Sequence, residues 1–254
     1  MPEMKIIGHV VTGFSEKFGV PRQSGLVETK AAIVLEPEYR KPEAFRGIEG
    51  YSHLWVLWMF SQTAREDWSP TVRPPRLGGN RRVGVFATRS PFRPNPIGLS
   101  SVKLEGLEQT REYGPVLRIS GADMVDGTPV FDIKPYLAYT DSHPEALGGF
   151  TDATPRAELT VVLPDRLREG LSESDAAELT AILAHDPRPS YQHEPERVYG
   201  MDYGGISVKF SVDGSVLTVR ELKPSGRMQQ KAALRRTIIA TGCDSDQKDF
   251  KEKR

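Results

Sequence analysis

Glycine and proline divide the first 140 residues into short segments that have the composition of β-strands. Seven runs are rich in valine, isoleucine and aromatic residues, and turn residues separate them. This pattern is typical of an antiparallel β-barrel or sandwich. The predicted strands cover residues 5–11, 26–35, 51–60, 82–88, 99–107, 116–120 and 130–133. We therefore predict a mainly β protein whose first domain, residues 1–140, is an antiparallel barrel.

Two segments within this region carry more specific signals. The run LWVLWMF within residues 51–60 is apolar almost throughout, which predicts a strand buried on both faces. Residues 41–46 precede it and are expected to form a helical turn.

A second, smaller unit is predicted after residue 140. Residues 141–157 contain His-Pro, Gly-Gly and Thr-Pro pairs and are interpreted as a linker. Residues 171–183 have an amphipathic helical pattern, with Ser172 and Asp175 spaced as an N-terminal capping box. Asp213-Gly214 lies between two strand-like runs, 208–212 and 216–220, and predicts a hairpin. We expect a small α+β domain over residues 158–222 and a disordered tail over residues 223–254.

Composition limits the possible partners and environments. No apolar run approaches the roughly 18 residues of a membrane span, and the start, MPEMKIIGHVV, lacks the core of a secretory signal. The single cysteine, Cys243, permits no internal disulfide, and the five histidines lack the spacing of metal ligands. These features predict a cytoplasmic protein without membrane association or a bound metal.

Arginines are concentrated in one stretch that lacks acidic residues. Between Asp67 and Glu105 the chain has no carboxylate, and the segment ATRSPFRPNPIGLS contains three prolines within six residues. A solvated surface could account for the charge alone, but such a surface does not require a fixed backbone. Forked guanidinium groups favour phosphates and stack on bases, so we expect RNA binding. The predicted contacts are Arg73, Arg76, Arg81, Arg82, Arg93 and Asn95.

Three further loops carry polar groups, each with an ordinary structural explanation. GADMVDGTP (121–129) places two carboxylates three residues apart, as a hairpin-capping turn would. FGVPRQSG (18–25) carries Arg22 and Gln23, and His53 interrupts the start of an apolar run, where a hydrogen-bonded core histidine is common. Phosphate-loop, dinucleotide-binding and G-x-S-x-G signatures are missing from the sequence.

The sequence closely resembles the TsaA-like β-barrel family over about residues 5–222. The resemblance rests on PPRLGGNRRVGVFATRSPFRPNPIGLSSVKL, with FGVPRQ before it, DMVDGTPVFDIKPY after it and HDPRPSY (185–191) in the second unit. It implies an S-adenosylmethionine-dependent enzyme that methylates N6 of threonylcarbamoyladenosine, 3′ of the anticodon in threonine-type tRNA. It also implies a homodimer with the cofactor near the subunit interface, and tRNA contact by Arg188.

The resemblance also implies which residues meet the cofactor. They are Pro21, Arg22, Gln23, His53, Leu54, Arg89, Leu99, Asp123, Met124, Val125 and Asp126. A carboxylate is a reasonable acceptor for the proton that the target nitrogen loses. We predict Asp126 for this role, because Gly127 after it permits a sharp turn into the barrel mouth; Asp123 would shape the loop or hold the cofactor. Two alternatives remain: an RNA-binding module without catalysis, and a cofactor-binding sensor.

Overall fold

The computed structural model describes residues 3–63, 67–77, 81–154, 158–188 and 194–225. The first part of the chain contains eight strands. They are β1 (Gly8–Thr12), β2 (Lys30–Leu35), β3 (His53–Met59), β4 (Thr71–Val72), β5 (Val83–Gly84), β6 (Ile97–Thr110), β7 (Gly114–Ser120) and β8 (Pro129–Pro135). Six of them close an antiparallel barrel in the order β1-β2-β7-β6-β3-β8. The predicted barrel is therefore confirmed.

The barrel core is built from strand residues that alternate between inside and outside. In β3, Leu54, Val56 and Trp58 are buried, while the residues between them are only partly buried. The prediction that this segment is buried on both faces was therefore wrong. Closing six strands into a barrel leaves one face of each strand outward, and Trp55, Leu57 and Met59 on the outer face of β3 are only partly buried.

The segment predicted as a strand over residues 82–88 is mostly not a strand. Only Val83–Gly84 pairs, with β4, in a separate two-stranded hairpin. The chain then turns into a 3₁₀ helix, because the amide of Thr88 donates to the carbonyl of Val85. The predicted turn over 41–46 is confirmed as a 3₁₀ helix. The 3₁₀ helices are Pro37–Tyr39, Pro42–Phe45, Ile48–Gly50, Pro75–Leu77, Val85–Ala87 and Gly149–Thr151.

The second unit combines two helices, of which α3 is the longer, with a four-stranded sheet. Its elements, with the helical turn before it, are α1 (Ala138–Asp141), β9 (Thr160–Val162), α2 (Asp165–Arg168), α3 (Glu173–Ala184), β10 (Tyr199–Tyr203), β11 (Ile206–Asp213) and β12 (Val216–Pro224). The sheet order is β10-β11-β12-β9, with β9 parallel to β12. The predicted cap is present, since the Asp175 amide donates to Ser172 Oγ at 3.1 Å. The Asp213-Gly214 hairpin also forms.

The proposed domain limits remain predictions, although some contacts bear on them. Asp141, the first residue of the predicted linker, accepts hydrogen bonds from Trp55 Nε1 and the Leu137 amide. At the other end, Ser225 is buried and its amide donates to the Gly205 carbonyl at 2.8 Å. The described structure therefore includes residues 223–225 of the predicted tail, and residues 226–254 lie outside the described part. Within the described ranges, no helix is long and apolar enough to span a membrane.

The loop between β1 and β2 packs directly on the second unit. The Phe14 ring lies 4.8 Å from the Tyr203 ring, and the Gly204 amide donates to the Gly13 carbonyl at 3.0 Å. A Cβ atom at Gly13 would lie 2.5 Å from the Tyr203 ring, so only glycine permits this approach. The second unit therefore supports the segment that carries the predicted cofactor residues Pro21, Arg22 and Gln23.

Candidate active site

A cavity of about 500 Å³ opens at the end of the barrel where β3 ends and β6 begins. This volume falls within the range of about 300–1,000 Å³ typical of small-molecule sites. The β1–β2 loop, the proline-rich loop before β6 and the loop between β7 and β8 all reach it. Residues far apart in sequence therefore meet at one mouth, as barrel loops allow.

Most of the predicted cofactor residues line this cavity. They are Pro21, Arg22, Gln23, Arg89, Leu99, Asp123, Met124 and Val125. Sequence reasoning missed Trp58, Met59 and Phe60 at the end of β3, which also line it. The walls are thus largely apolar, with Asp123 as the acidic group among the lining residues.

Asp123 is held by a relay of hydrogen bonds from the barrel wall. Trp58 Nε1 donates to Ser100 Oγ at 2.9 Å, and Ser100 Oγ donates to Asp123 Oδ1 at 2.5 Å. Burial raises the pKa of Asp123 above that of an ordinary carboxyl, against the opposing effects of Ser100, the Ser24 amide and the Arg89 charge. A fixed, partly desolvated carboxylate beside a cavity is suited to proton transfer.

Trp58 reaches Ser100 because the facing strand carries glycine opposite it. Gly98 pairs with Trp58 between β3 and β6, and a Cβ atom at Gly98 would lie 2.2 Å from the Trp58 ring. The indole therefore lies flat across β6 and directs its N–H toward Ser100. The sequence signal for this arrangement would be the β3–β6 register, which pairs residues about 40 positions apart.

Two arginines join the rim of the cavity to neighbouring loops. Arg89 Nη1 donates to Gln23 Oε1, which connects the proline-rich loop to the β1–β2 loop. Arg22 Nη2 donates to the Arg188 carbonyl at 2.9 Å, which connects the β1–β2 loop to the second unit. The rim is thus a chain of polar contacts across three segments of the protein.

His53 and Leu54 do not line the cavity. His53 begins β3 and pairs with Lys103, and the cavity lining along β3 begins at Trp55, two residues later. At about 3.3 Å per residue, His53 is roughly 7 Å along the strand from Trp55. Leu54 is fully buried in the barrel core. Both residues therefore lie outside the cavity lining of one subunit, and their contact with the cofactor stays a prediction.

Asp126 also lies outside the cavity lining. Its Oδ1 accepts a hydrogen bond from the Thr12 amide at 3.3 Å, and its own amide donates to the Phe14 carbonyl at 2.8 Å. Gly127 does adopt a positive φ of 75°, but the turn directs Asp126 toward β1. The proton-acceptor role of Asp126 remains a prediction that this geometry does not favour, whereas Asp123 has the required position.

The predicted RNA-binding arginines fall into separate environments. Arg73, Arg81 and Arg82 are exposed on the β4–β5 hairpin, where Arg82 Nε donates to Thr71 Oγ1 at 2.9 Å. Arg93 is half-buried and holds its own loop, since Nη1 donates to the carbonyls of Thr88 and Ser90. Asn95 is exposed. The side chain of Arg76 lies outside the described part of the structure.

Arg188 is part of the interior of the second unit. Only 7% of its surface is exposed, and its guanidinium makes two hydrogen bonds to the Asp186 carboxylate, at 2.8 and 3.0 Å. The same group lies over the Tyr199 ring, 6.0 Å from its centroid. This burial argues against the predicted tRNA contact and gives Arg188 a structural role behind Arg22.

Among the described residues, no group of three or more His, Cys, Asp or Glu side chains could hold a metal ion. The cavity lining combines apolar walls at Pro21, Leu99 and Met124 with one carboxylate, Asp123, and four basic side chains, Lys17, Arg22, Arg89 and Arg93. Such a mixed set suits an organic cofactor that carries both cationic and anionic groups.

Comparison with known proteins identifies close relatives of the whole described region. Residues 9–142 match the family model of the tRNA-methyltransferase O N-terminal domain, and residues 157–225 match the TrmO C-terminal domain. A tRNA (adenine(37)-N6)-methyltransferase of Escherichia coli (strain K12) is 42% identical over 227 residues, which cover 86% of this chain and 96% of that protein. One from Eikenella corrodens is 48% identical over 164 residues, covering 64% and 92%.

The solved structures agree in fold. A crystal structure of TrmO from P. aeruginosa superposes with a TM-score of 0.71 at 33% identity, covering 89% of this chain and 98% of that one. Another crystal structure of TrmO gives a TM-score of 0.70 at 33% identity, covering 87% and 99%.

Proposed function

This chain belongs to the TrmO family, and on that premise we propose that it transfers a methyl group from S-adenosylmethionine to N6 of adenosine 37 in tRNA. The observation that carries the proposal is the cavity at the barrel mouth, with the half-buried Asp123 carboxylate at its wall and arginines on its rim. The Escherichia coli relative named for this reaction is matched by this chain over 96% of its length.

The residues of the cavity fit the cofactor. Pro21, Leu99 and Met124 provide an apolar wall, and Gln23 with Arg89 provides polar contacts at the rim. When bound, S-adenosylmethionine supplies an activated methyl group. The protein's part is to align the target nitrogen with that group, and such positioning accounts for a large share of the rate.

Asp123 is proposed as the proton acceptor in place of Asp126. With the cofactor bound, formation of the N–C bond at N6 would be balanced by cleavage of the bond between the methyl group and the sulfonium sulfur, which would leave as a neutral thioether, and the N6 proton would pass to the Asp123 carboxylate. Ser100 and the Ser24 amide orient the carboxylate. The adenine must leave its stack to reach the cavity.

The finer substrate is proposed to be the threonylcarbamoylated adenosine. That base carries its own carboxylate, and a forked arginine on the rim, Arg89 or Arg22, could bind it in two-point fashion. Without that carboxylate a guanidinium on the rim would lose one partner, which lowers affinity. The support is the family resemblance together with the arginines at the cavity.

One experiment tests both parts of the proposal. The protein is incubated with labelled S-adenosylmethionine and two tRNA preparations, one threonylcarbamoylated and one an unmodified transcript. We expect label in the first and much less in the second. Equal labelling of both would refute the finer substrate, and no labelling of either would refute the methyltransferase. The homodimer and the cytoplasmic location remain predictions from the resemblance, and sedimentation in solution tests the former.

A further inference from the structure

Two large aromatic rings are exposed beside the β4–β5 hairpin. Phe86 is 74% exposed and Trp68 is 49% exposed. Their ring centroids are 6.2 Å apart and their planes differ by 24°, so the two rings are stacked. Exposing two such rings next to each other is unfavourable in water, and a paired arrangement of this kind is usual at binding surfaces.

The surroundings of this pair indicate what covers it. β4 and β5 place Arg73, Arg81 and Arg82 on the same hairpin. From residue 68 to residue 104 the sequence contains no Asp or Glu, and Asp67 is the carboxylate nearest the pair in sequence. Aromatic faces set among arginines are complementary to unstacked bases and phosphates of a single-stranded nucleic acid, rather than to a neutral apolar surface.

The pair is also joined directly to the cavity rim. Phe86 lies in the 3₁₀ helix Val85–Ala87, and Thr88 and Arg89 immediately after it line the cavity. On the other side, the Ser69 amide donates to the Phe92 carbonyl at 3.2 Å, next to Pro91 and Arg93 of the cavity wall. A nucleotide that follows or precedes a base held in the cavity would therefore meet these rings.

We propose that Trp68 and Phe86 form a stacking platform for a base of the tRNA anticodon loop next to the one that enters the cavity. The exposed face of Phe86 receives the base, Trp68 supports Phe86 from behind, and the hairpin arginines hold the adjoining phosphates. This inference rests on the proposed function, because it takes the RNA to be the substrate of the cavity.

The test measures binding of an anticodon stem-loop RNA that carries 2-aminopurine beside adenosine 37. Wild-type protein is expected to quench the 2-aminopurine fluorescence. Because base–aromatic stacking contributes about 1–3 kcal/mol, Trp68→Ala and Phe86→Ala should each weaken binding about 5- to 160-fold and abolish the quenching. Cofactor affinity, measured by calorimetry, should not change. Neither should the slope of log affinity against log salt, since a neutral ring displaces no counterions.

Conservative and matched variants make the result specific. Phe86→Leu keeps an apolar side chain but loses the ring, and should lose quenching; Phe86→Trp should keep it. Tyr139→Ala removes a ring that is 88% exposed in α1, and RNA binding should be unaffected. Equal quenching by wild type, Phe86→Ala and Phe86→Leu would overturn the proposal.

Self-association through the same rings is the competing explanation. If Trp68→Ala or Phe86→Ala halves the mass seen in sedimentation and lowers RNA affinity with it, the pair joins two copies of the chain and the platform is wrong. Failure of the proposed function looks different. In that case wild type transfers no methyl group to tRNA, yet quenching still depends on Phe86.

Discussion

The cavity wall and the β4–β5 hairpin hold their charged groups in opposite ways. Asp123 at the cavity wall is fixed by Ser100, which Trp58 fixes in turn, and all three belong to or adjoin the barrel wall. Arg73 and Arg81 on the hairpin are exposed side chains on a two-stranded ribbon. Proton transfer requires an acceptor within hydrogen-bond reach of one atom, whereas binding a polyanion requires only positive charge near its phosphates.

The β1–β2 loop lies between these two extremes. Arg22 and Gln23 are exposed at least in part, but each is tied to a neighbouring segment. The second unit supplies one of those ties through the Arg188 carbonyl, and Asp186 holds Arg188 in turn. The second unit therefore contributes to the cofactor side of the site, whereas the hairpin arginines contribute to the RNA side.

The largest expected effect separates the two carboxylates of the β7–β8 loop. Asp123→Asn should lower the single-turnover methylation rate by about 10²–10⁴, the usual loss of general-base assistance. Asp126→Asn, the matched variant three residues away, should change the rate less than about tenfold, because that side chain bonds the Thr12 amide outside the cavity. Both rates are measured with saturating cofactor. The reverse order of losses would restore Asp126 as the proton acceptor.

Cofactor affinity, measured by calorimetry, distinguishes catalysis from binding in the same pair of variants. Near-normal affinity in Asp123→Asn with a large rate loss supports proton transfer. A rate loss matched by an equal affinity loss would make Asp123 a cofactor-binding residue only.

The pH dependence of the rate gives an independent test of Asp123. Burial raises the pKa of its carboxyl above the ordinary value, and only the ionised form can accept a proton. The single-turnover rate should therefore fall as the pH decreases through this raised pKa, by up to about tenfold per pH unit. Asp123→Asn should show no such decrease, and a retained acid limb in that variant would assign the titration to another group.

The difference between contacts among neighbouring residues and contacts between distant segments explains how much of this fold the sequence could predict. The helix cap at Ser172 and the Asp213-Gly214 hairpin depend on neighbouring residues, and both were predicted correctly. β9 and β10 were missed: β9 has only three residues, and its pairing with β12 joins positions 56 apart in sequence, Thr160 and Val216. A local sequence pattern gives no information about which distant strand a short segment will pair with.

The candidate site shows the same limit. Family resemblance placed Gln23, Arg89 and Asp123 at one cavity. It could not rank Asp123 above Asp126, because the difference depends on Ser100, 23 residues away, and on the direction of the turn at Gly127. It also could not show that Arg188 is buried and paired with Asp186, whose backbone adopts a positive φ of 47°.

A smaller effect is expected where the second unit supports the β1–β2 loop. Arg22→Met keeps the apolar stem of the side chain but cannot donate to the Arg188 carbonyl. A hydrogen bond from a charged group contributes about 1.5–3 kcal/mol, and the exposure of Arg22 favours the lower end of that range, so cofactor affinity should fall by about tenfold. Binding of unmodified tRNA should change less than about twofold. If RNA affinity falls instead and cofactor affinity is unchanged, Arg22 belongs with the hairpin arginines.

The smallest effect is expected on the RNA side, where the contribution of each exposed arginine is screened by salt. Arg81→Ala removes one such charge from the end of the β4–β5 hairpin, and should weaken tRNA binding about three- to fivefold at ~0.1 M salt. The slope of log affinity against log salt should become shallower by about 0.7–0.9, the change expected for one lost phosphate contact. Cofactor affinity should be unaffected, because Arg81 does not line the cavity. Arg81→Lys keeps the charge and should keep the slope, which separates simple charge from forked recognition. The comparison would be overturned if Arg81→Lys lost as much tRNA affinity as Arg81→Ala and both variants kept the wild-type slope. The RNA would then recognise the shape of the Arg81 guanidinium and not its charge, and Arg81 would be held as specifically as Asp123.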